Sequence, residues 1–154
     1  MIIRNAIISD VKCICSLISS HAEFERMLFR SLADLYESIQ QFKVADVGGD
    51  EPVGCCALQV IWEGLGEIKS LAVDSSFAGK GIGRALVHDC IKEAKELGLK
   101  TVFTLTLEPE FFEKCGFKRI DKDTLPMKVW SDCAKCSKQD HCDEIAMAFS
   151  IDEL

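Results

Sequence analysis

Three alternating glycines stand in Ser75-Ser76-Phe77-Ala78-Gly79-Lys80-Gly81-Ile82-Gly83-Arg84, directly ahead of a run with helical period. Positions without side chains let backbone N–H groups reach an anion, and the positive end of the following helix dipole favours one. The loop is therefore predicted to bind phosphate, with Lys80 and Arg84 adding local positive charge. Its spacing is neither that of a Walker loop, which needs Gly-Lys-Ser/Thr after four spacers, nor the Gly-x-Gly-x-x-Gly of dinucleotide folds.

A second constellation is Cys133-Ala134-Lys135-Cys136 followed by His141 and Cys142. Two thiolates separated by two residues can be presented to one zinc ion by a turn, and a third thiolate with a histidine would complete a structural set. Against zinc, neighbouring His141 and Cys142 seldom converge on one metal, and no second paired motif follows. Zinc, reduced thiols and a reversible disulfide all stay open. Position argues against a thioredoxin-like role, since that motif follows a first strand and opens a helix.

The elements that must position these groups follow from hydrophobic period. Ser9 and Asp10 can cap a helix with Val11, Ile14, Leu17 and Ile18 on one face. Ser31 caps a second, with Asp34 three residues later and Leu32, Leu35, Tyr36 and Ile39 as its expected buried stripe. Phe42–Val47, Val53–Ile61 and Glu67–Val73 read as three strands of a meander, separated by Gly48-Gly49-Asp50-Glu51-Pro52 and Glu63-Gly64-Leu65-Gly66. Strand alternation puts Glu67, Lys69, Leu71 and Val73 on one face. From Gly81 the helical period returns, with Ile82, Leu86, Cys90, Ile91 and Ala94 inward and Arg84, His88, Lys92 and Lys95 outward, until Gly98. Thr101–Leu107 is a strand, so strand, glycine loop, helix and strand form a βαβ unit with parallel flanking strands. A short helix at Phe111–Lys114, a turn at Gly116 and a last strand near Ile145–Ile151 complete the mixed sheet. The stretch 121–144, which holds the cysteine cluster, is irregular.

Composition bounds the rest. The chain has 154 residues, 48% of them hydrophobic and 28% charged, with three prolines and ten glycines. A chain of this length buries roughly 70% of its extended surface and can own a core, and a single domain spanning residues 1–154 is the simplest partition. The formal charge of −7 argues against broad binding to nucleic acid. The longest apolar stretch, Val53–Ile61, is interrupted by Gln59 and falls far short of the roughly 20 residues that cross a bilayer. No secretory signal opens the chain, and nine cysteines cannot all pair internally, so a reducing, cytoplasmic setting is expected. Cys13, Cys15, Cys55, Cys56, Cys90 and Cys115 fall in apolar helical or extended segments, where free cysteine acts as a small hydrophobe.

Leu71-Ala72-Val73-Asp74, Gly79-Lys80-Gly81-Ile82-Gly83-Arg84-Ala85-Leu86 and Phe111-Phe112-Glu113-Lys114-Cys115-Gly116-Phe117, in that order, resemble the GNAT family of acyl-coenzyme A dependent N-acetyltransferases. The resemblance implies an α/β (α+β) GNAT fold: a mixed, mostly antiparallel sheet with a central parallel βαβ unit and helices on both faces. The family pattern of Arg or Gln, two residues, Gly, one residue, Gly or Ala maps onto Ala78, Gly81 and Gly83, so Ala78 departs from it. The resemblance further implies a cofactor site for acetyl-coenzyme A made of Leu71, Ala72, Val73, Gly79, Lys80, Gly81, Ile82, Gly83 and Arg84. The pantetheine arm would enter a splay between two parallel strands and pair with the backbone of Leu71 and Val73.

Met27-Leu28-Phe29-Arg30-Ser31-Leu32, Leu35-Tyr36-Glu37, Gly66-Glu67, Leu105-Thr106 and Leu125-Pro126-Met127-Lys128-Val129-Trp130 are similar to the acetyltransferase domain of N-acetylglutamate synthases. Those enzymes often carry an amino-acid kinase-like domain ahead of this one, so the chain is expected to be a stand-alone short form. The resemblance implies Glu67 as general base, directly or through water, and Arg30 as the guanidinium fork for the substrate α-carboxylate. Lys69 and Lys128 are further candidates for the substrate pocket, although Lys69 could pair with Glu67 instead and lower its pKa. A backbone N–H near Leu71 to Val73 would meet the oxyanion. Many family members place Tyr where this chain has Phe112, and no general acid is assigned.

The expected function is transfer of acetyl from acetyl-coenzyme A to the α-amine of L-glutamate, the opening step of arginine biosynthesis. The alternatives are the same chemistry on another small amine or a protein N-terminus, a non-catalytic acyl-coenzyme A sensor, and a zinc-stabilised interaction module. The expected partners are small molecules, without nucleic acid or membrane, and a homo-oligomer is compatible with the sequence.

Overall fold

The computed structural model describes residues 1–22, 31–126 and 144–151. The chain runs β1 (Ile2–Asn5), α1 (Val11–Ala22), α2 (Leu32–Ser38), β2 (Phe42–Asp46), β3 (Gly54–Trp62), β4 (Leu65–Val73), α3 (Ile82–Leu97), β5 (Thr101–Thr106), α4 (Pro109–Lys114), β6 (Lys118–Arg119) and β7 (Ile145–Ser150). The strands form one seven-stranded sheet in the order β1-β2-β3-β4-β5-β7-β6. Every neighbouring pair is antiparallel except β4 and β5, which flank α3 and run parallel, the consequence of the crossover through that helix.

Helices cover both faces. On one, Ile82, Leu86, Val87, Cys90, Ile91 and Ala94 of α3 pack against Cys56, Leu58, Ile68 and Val102 of the sheet. Gly54 admits this helix closely, because a Cβ there would lie 3.1 Å from Leu86 Cδ1 and 3.2 Å from Ile82 Cγ2. On the other face, Val11, Ile14 and Ile18 of α1 and Leu35 of α2 cover Phe42, Val44, Cys55, Ala57 and Ala72. Burying each of the larger of these side chains contributes about 1.5–3 kcal/mol. A smaller cluster of Ile61, Phe103, Leu125 and Ala146 lies farther along the sheet.

The predicted helices form where the apolar period placed them, and Ser31 Oγ accepts from Asp34 N at 3.1 Å as the cap of α2. The stripe of α2 is narrower than expected. Leu35 and Ile39 are buried, but Leu32 and Tyr36 are 43% and 42% exposed, so Tyr36 is not a core residue. Helical spacing alone draws a stripe wider than the one α1 and the sheet cover. Two strands escape the period altogether: β1, fastened at the sheet edge by Arg4 to Asp10 and Asp46, and the two-residue β6. Cys55, Cys56, Cys90 and Cys115 are buried thiols outside any disulfide, and Cys13 and Cys15 are partly buried ones.

Candidate active site

The parallel ladder between β4 and β5 lasts three residues: Leu65 opposite Thr101, Gly66 opposite Val102 and Glu67 opposite Phe103. Beyond it the strands part. β4 continues along β3 as far as Val73 opposite Gly54, while β5 continues along β7 as far as Thr106 opposite Ile145. At the apex, the buried Thr104 Oγ1 donates to Ile68 O at 2.9 Å, so a side chain replaces the next ladder bond. This is the gap expected between the parallel strands, and Leu71, Ala72 and Val73 lie along its β4 side.

Glu67 sits at the last rung before the gap, with only 9% of its surface exposed. Directly opposite on β3 is Gln59, and cross-strand partners in an antiparallel pair share a face. Lys69 lies on that face too, opposite Ala57. Among the described residues no ion pair joins Lys69 to Glu67.

Alternation fails beyond Lys69. Ser70 takes φ 56°, and register shifts so that Ser70 and Leu71 together oppose Cys56, whose neighbour Cys55 donates its thiol to Ser70 O at 3.5 Å. This bulge inserts one residue and reverses the faces beyond it. Leu71 and Val73 therefore pack on the α3 side, and Ala72 under α1. Glu67 and Lys69 stay together, but the expectation that all four share one face is corrected.

The glycine loop begins where Asp74 Oδ1 accepts from Ser76 N at 2.9 Å, closing a short 3-10 turn. Gly79 and Gly81 follow at φ 76° and 80°, conformations that glycine adopts without the Cβ clash other residues meet. Nothing lies within 4 Å of a Cβ built on either, so the outer side of the loop is open. Gly81 is the N-cap of α3, and the first bond of that helix runs from Ala85 N to Gly81 O at 3.1 Å. The N–H groups of Ile82, Gly83 and Arg84 are thus left without intrahelical acceptors and point out of the helix end. Gly83 faces the opposite way, where a Cβ would meet Phe111 Cζ at 3.2 Å. Lys80 Nζ lies 5.2 Å from the centroid of the Phe77 ring, and Arg84 is exposed beside the loop. Open amides, a helix N-terminus and two cations are a donor set that fits a diphosphate.

Phe112 is buried in α4, its ring edge-on to Phe111 at 5.1 Å and to Phe117 at 5.2 Å between centroids. It has no proton to give. Burial pushes the Cys115 thiol up despite the nearby Arg84, and a hydrogen bond to Cys90 together with burial pushes Cys56 up, so these thiols stay neutral. Arg30, Lys128, Cys133, Cys136, His141 and Cys142 lie outside the described residues. No group of three metal-ligating side chains occurs among the described residues, and no helix among them is long and apolar enough to cross a membrane.

Residues 13–117 match the model of the acetyltransferase (GNAT) family. An uncharacterised N-acetyltransferase of Chlorobaculum tepidum is 43% identical, over 97% of this chain and 96% of its own length. An amino-acid acetyltransferase of Mycobacterium tuberculosis is 39% identical, over 87% of this chain and 78% of its own length. In three dimensions the chain is similar to the N-acetylglutamate synthase of Neisseria gonorrhoeae crystallised with coenzyme A and N-acetyl-glutamate. That likeness has a TM-score of 0.86 at 27% identity and covers 97% of this chain but 35% of the synthase.

Proposed function

The chain belongs to the GNAT family of acetyltransferases, and from that premise we propose that it is an acetyl-coenzyme A dependent amino-acid N-acetyltransferase whose acceptor is the α-amine of L-glutamate. The observation that carries this reading is the buried carboxylate of Glu67 at the last rung before the β4/β5 gap, with the open glycine loop following β4. Relatives named as an amino-acid acetyltransferase and as N-acetylglutamate synthase support the substrate class.

In this reading the backbone amides of Gly79 to Arg84, with Lys80 and Arg84, hold the diphosphate of acetyl-coenzyme A. The backbone of Leu71 to Val73 aligns the pantetheine arm along β4 and turns an N–H towards the thioester oxygen. Glu67 takes a proton from the substrate ammonium, directly or through one water. The freed amine then attacks the thioester carbonyl and forms the C–N bond; as the C–S bond breaks, the second proton of the attacking nitrogen passes through water to the departing coenzyme A thiolate. A thiol with pKa about 8.5 is a good leaving group, which accommodates a phenyl ring at residue 112. Arg30 supplies the fork for the α-carboxylate, with Lys69 and Lys128 as further cations for the acidic substrate. Placement at the start of arginine biosynthesis follows from the same substrate assignment, and the odd number of cysteines supports a reducing, cytoplasmic setting.

The test supplies acetyl-coenzyme A with a panel of amino acids and polyamines and follows free thiol. Glutamate-dependent release is expected, with Glu67→Gln reducing kcat by about 10²- to 10⁴-fold while coenzyme A still binds. Release with polyamines alone, or coenzyme A binding without turnover on any amine, would overturn the assignment.

A further inference from the structure

Among the described residues, two side-chain oxygens are buried without a hydrogen-bond partner, Gln41 Oε1 and Gln59 Oε1. Gln41 precedes β2 in a 3-10 turn, whereas Gln59 lies in the sheet directly opposite Glu67. Folded proteins satisfy nearly all such oxygens because leaving one dry destabilises the fold, so an exception at the mouth of a reaction site calls for a ligand.

The surroundings narrow that ligand. Cross-strand partners of this kind hold their Cβ atoms about 4.5–5.5 Å apart, which brings the two side-chain ends within reach of one small group. Apart from Lys69, opposite Ala57, the described residues around the pair on this face are apolar: Ala57 next along β3 in one direction, Ile61 in the other, and Phe103 beside Glu67 on β5. A carboxylate and an amide oxygen are both acceptors. Two acceptors side by side, with apolar Ile61 and Phe103 beside them, select an atom bearing more than one N–H, and a primary ammonium is such an atom.

We propose that Gln59 is a second acceptor for the reacting amine, its Oε1 taking one N–H of the incoming substrate nitrogen while Glu67 takes the proton to be removed. This rests on the acetyl-transfer reading and adds a residue to its amine site. Before deprotonation the ammonium is shared between the two oxygens. Afterwards the neutral amine keeps two N–H bonds, and the bond to Gln59 fixes one of them, which turns the lone pair towards the thioester. Gln59 changes no protonation state; it binds and orients.

The experiment uses full-length Gln59→Met and Gln59→Leu, which keep the bulk and remove the acceptor. kcat/KM for the amino acid is expected to fall about 10- to 100-fold, the range for a hydrogen bond to a charged group, with KM for acetyl-coenzyme A unchanged. The urea midpoint should hold or rise, because a dry acceptor has been removed from the fold. An unchanged kcat/KM while wild type turns over would overturn the role of Gln59 alone. A lowered midpoint in both variants would overturn it too, by showing the oxygen satisfied in the folded protein. Wild type that acetylates no amine would overturn the acetyl-transfer reading, and this proposal with it.

Discussion

Gly81 and Gly83 show how much one hydrogen in place of a side chain can decide, and for opposite reasons. Gly81 has empty space around it, yet its φ of 80° lies where an L residue pays about 1–2 kcal/mol. Gly83 has ordinary helical backbone, but a Cβ would press on Phe111 at 3.2 Å. Gly81→Ala should therefore lower the unfolding free energy by about 1–2 kcal/mol and weaken coenzyme A binding, since relief of strain would turn the loop amides away. In Gly83→Ala, a helix-propensity gain of about 1 kcal/mol offsets displacement of the Phe111 ring, so stability should stay near wild type. Paired urea melts and coenzyme A titrations check both, and equal losses in the two variants would sink the distinction. The bend of the loop was readable in the sequence because closely spaced glycines between a strand and a helical period mark positive-φ turns, as Gly79 and Gly81 are. Gln59 was visible only as the polar residue inside the apolar run Val53–Ile61. Its meaning needed the register that sets it opposite Glu67, which no local pattern carries.

At the scale of elements, the β4/β5 gap depends on strands that start paired and then separate, and Thr104 holds the branch point. Its hydroxyl serves the Ile68 carbonyl where the ladder stops. Thr104→Val keeps the shape but leaves a buried carbonyl dry, at a cost of about 1–3 kcal/mol. The larger effect should fall on acetyl-coenzyme A, whose KM should rise as the gap loses its fixed width, with Thr104→Ser restoring it. If the Thr104→Val substitution destabilises the fold while KM for acetyl-coenzyme A stays at the wild-type value, the hydroxyl is structural only. Much of this architecture could be read from period: the meander and the βαβ unit follow from apolar spacing and glycine stops, and helices on both faces were implied by the family resemblance. Three features could not. β1 is four residues long and fastened by Arg4 at the sheet edge, β6 is two residues long, and the bulge at Ser70 depends on which residue of β3 it faces. Periodicity reports a face only while the count of residues per rung holds, and one inserted residue reversed Leu71 and Val73.

The molecule as a whole poses an electrostatic problem, because a chain of net charge −7 is proposed to bind a polyanionic cosubstrate. Range decides which charges matter. Lys80 and Arg84 stand at the glycine loop and the N-terminal amides of α3 point out of it, whereas the acidic excess belongs to the rest of the chain. At about 0.01 M salt the Debye length is near 30 Å, so the net negative charge of the chain repels the cosubstrate. At about 0.1 M it is near 10 Å, which screens distant carboxylates but leaves contacts at the loop. At about 1 M it is near 3 Å, and the loop cations are weakened as well. Affinity for coenzyme A should therefore pass through a maximum at intermediate salt instead of falling steadily, as it would for a basic protein. Lys80→Ala combined with Arg84→Ala removes the short-range attraction and leaves the repulsion, so the maximum should vanish and affinity should only rise with salt. Titration calorimetry across that range distinguishes the cases. A monotonic fall for the wild type would mean the loop cations dominate at every distance, and a salt response identical in the double variant would mean the backbone amides hold the diphosphate without them.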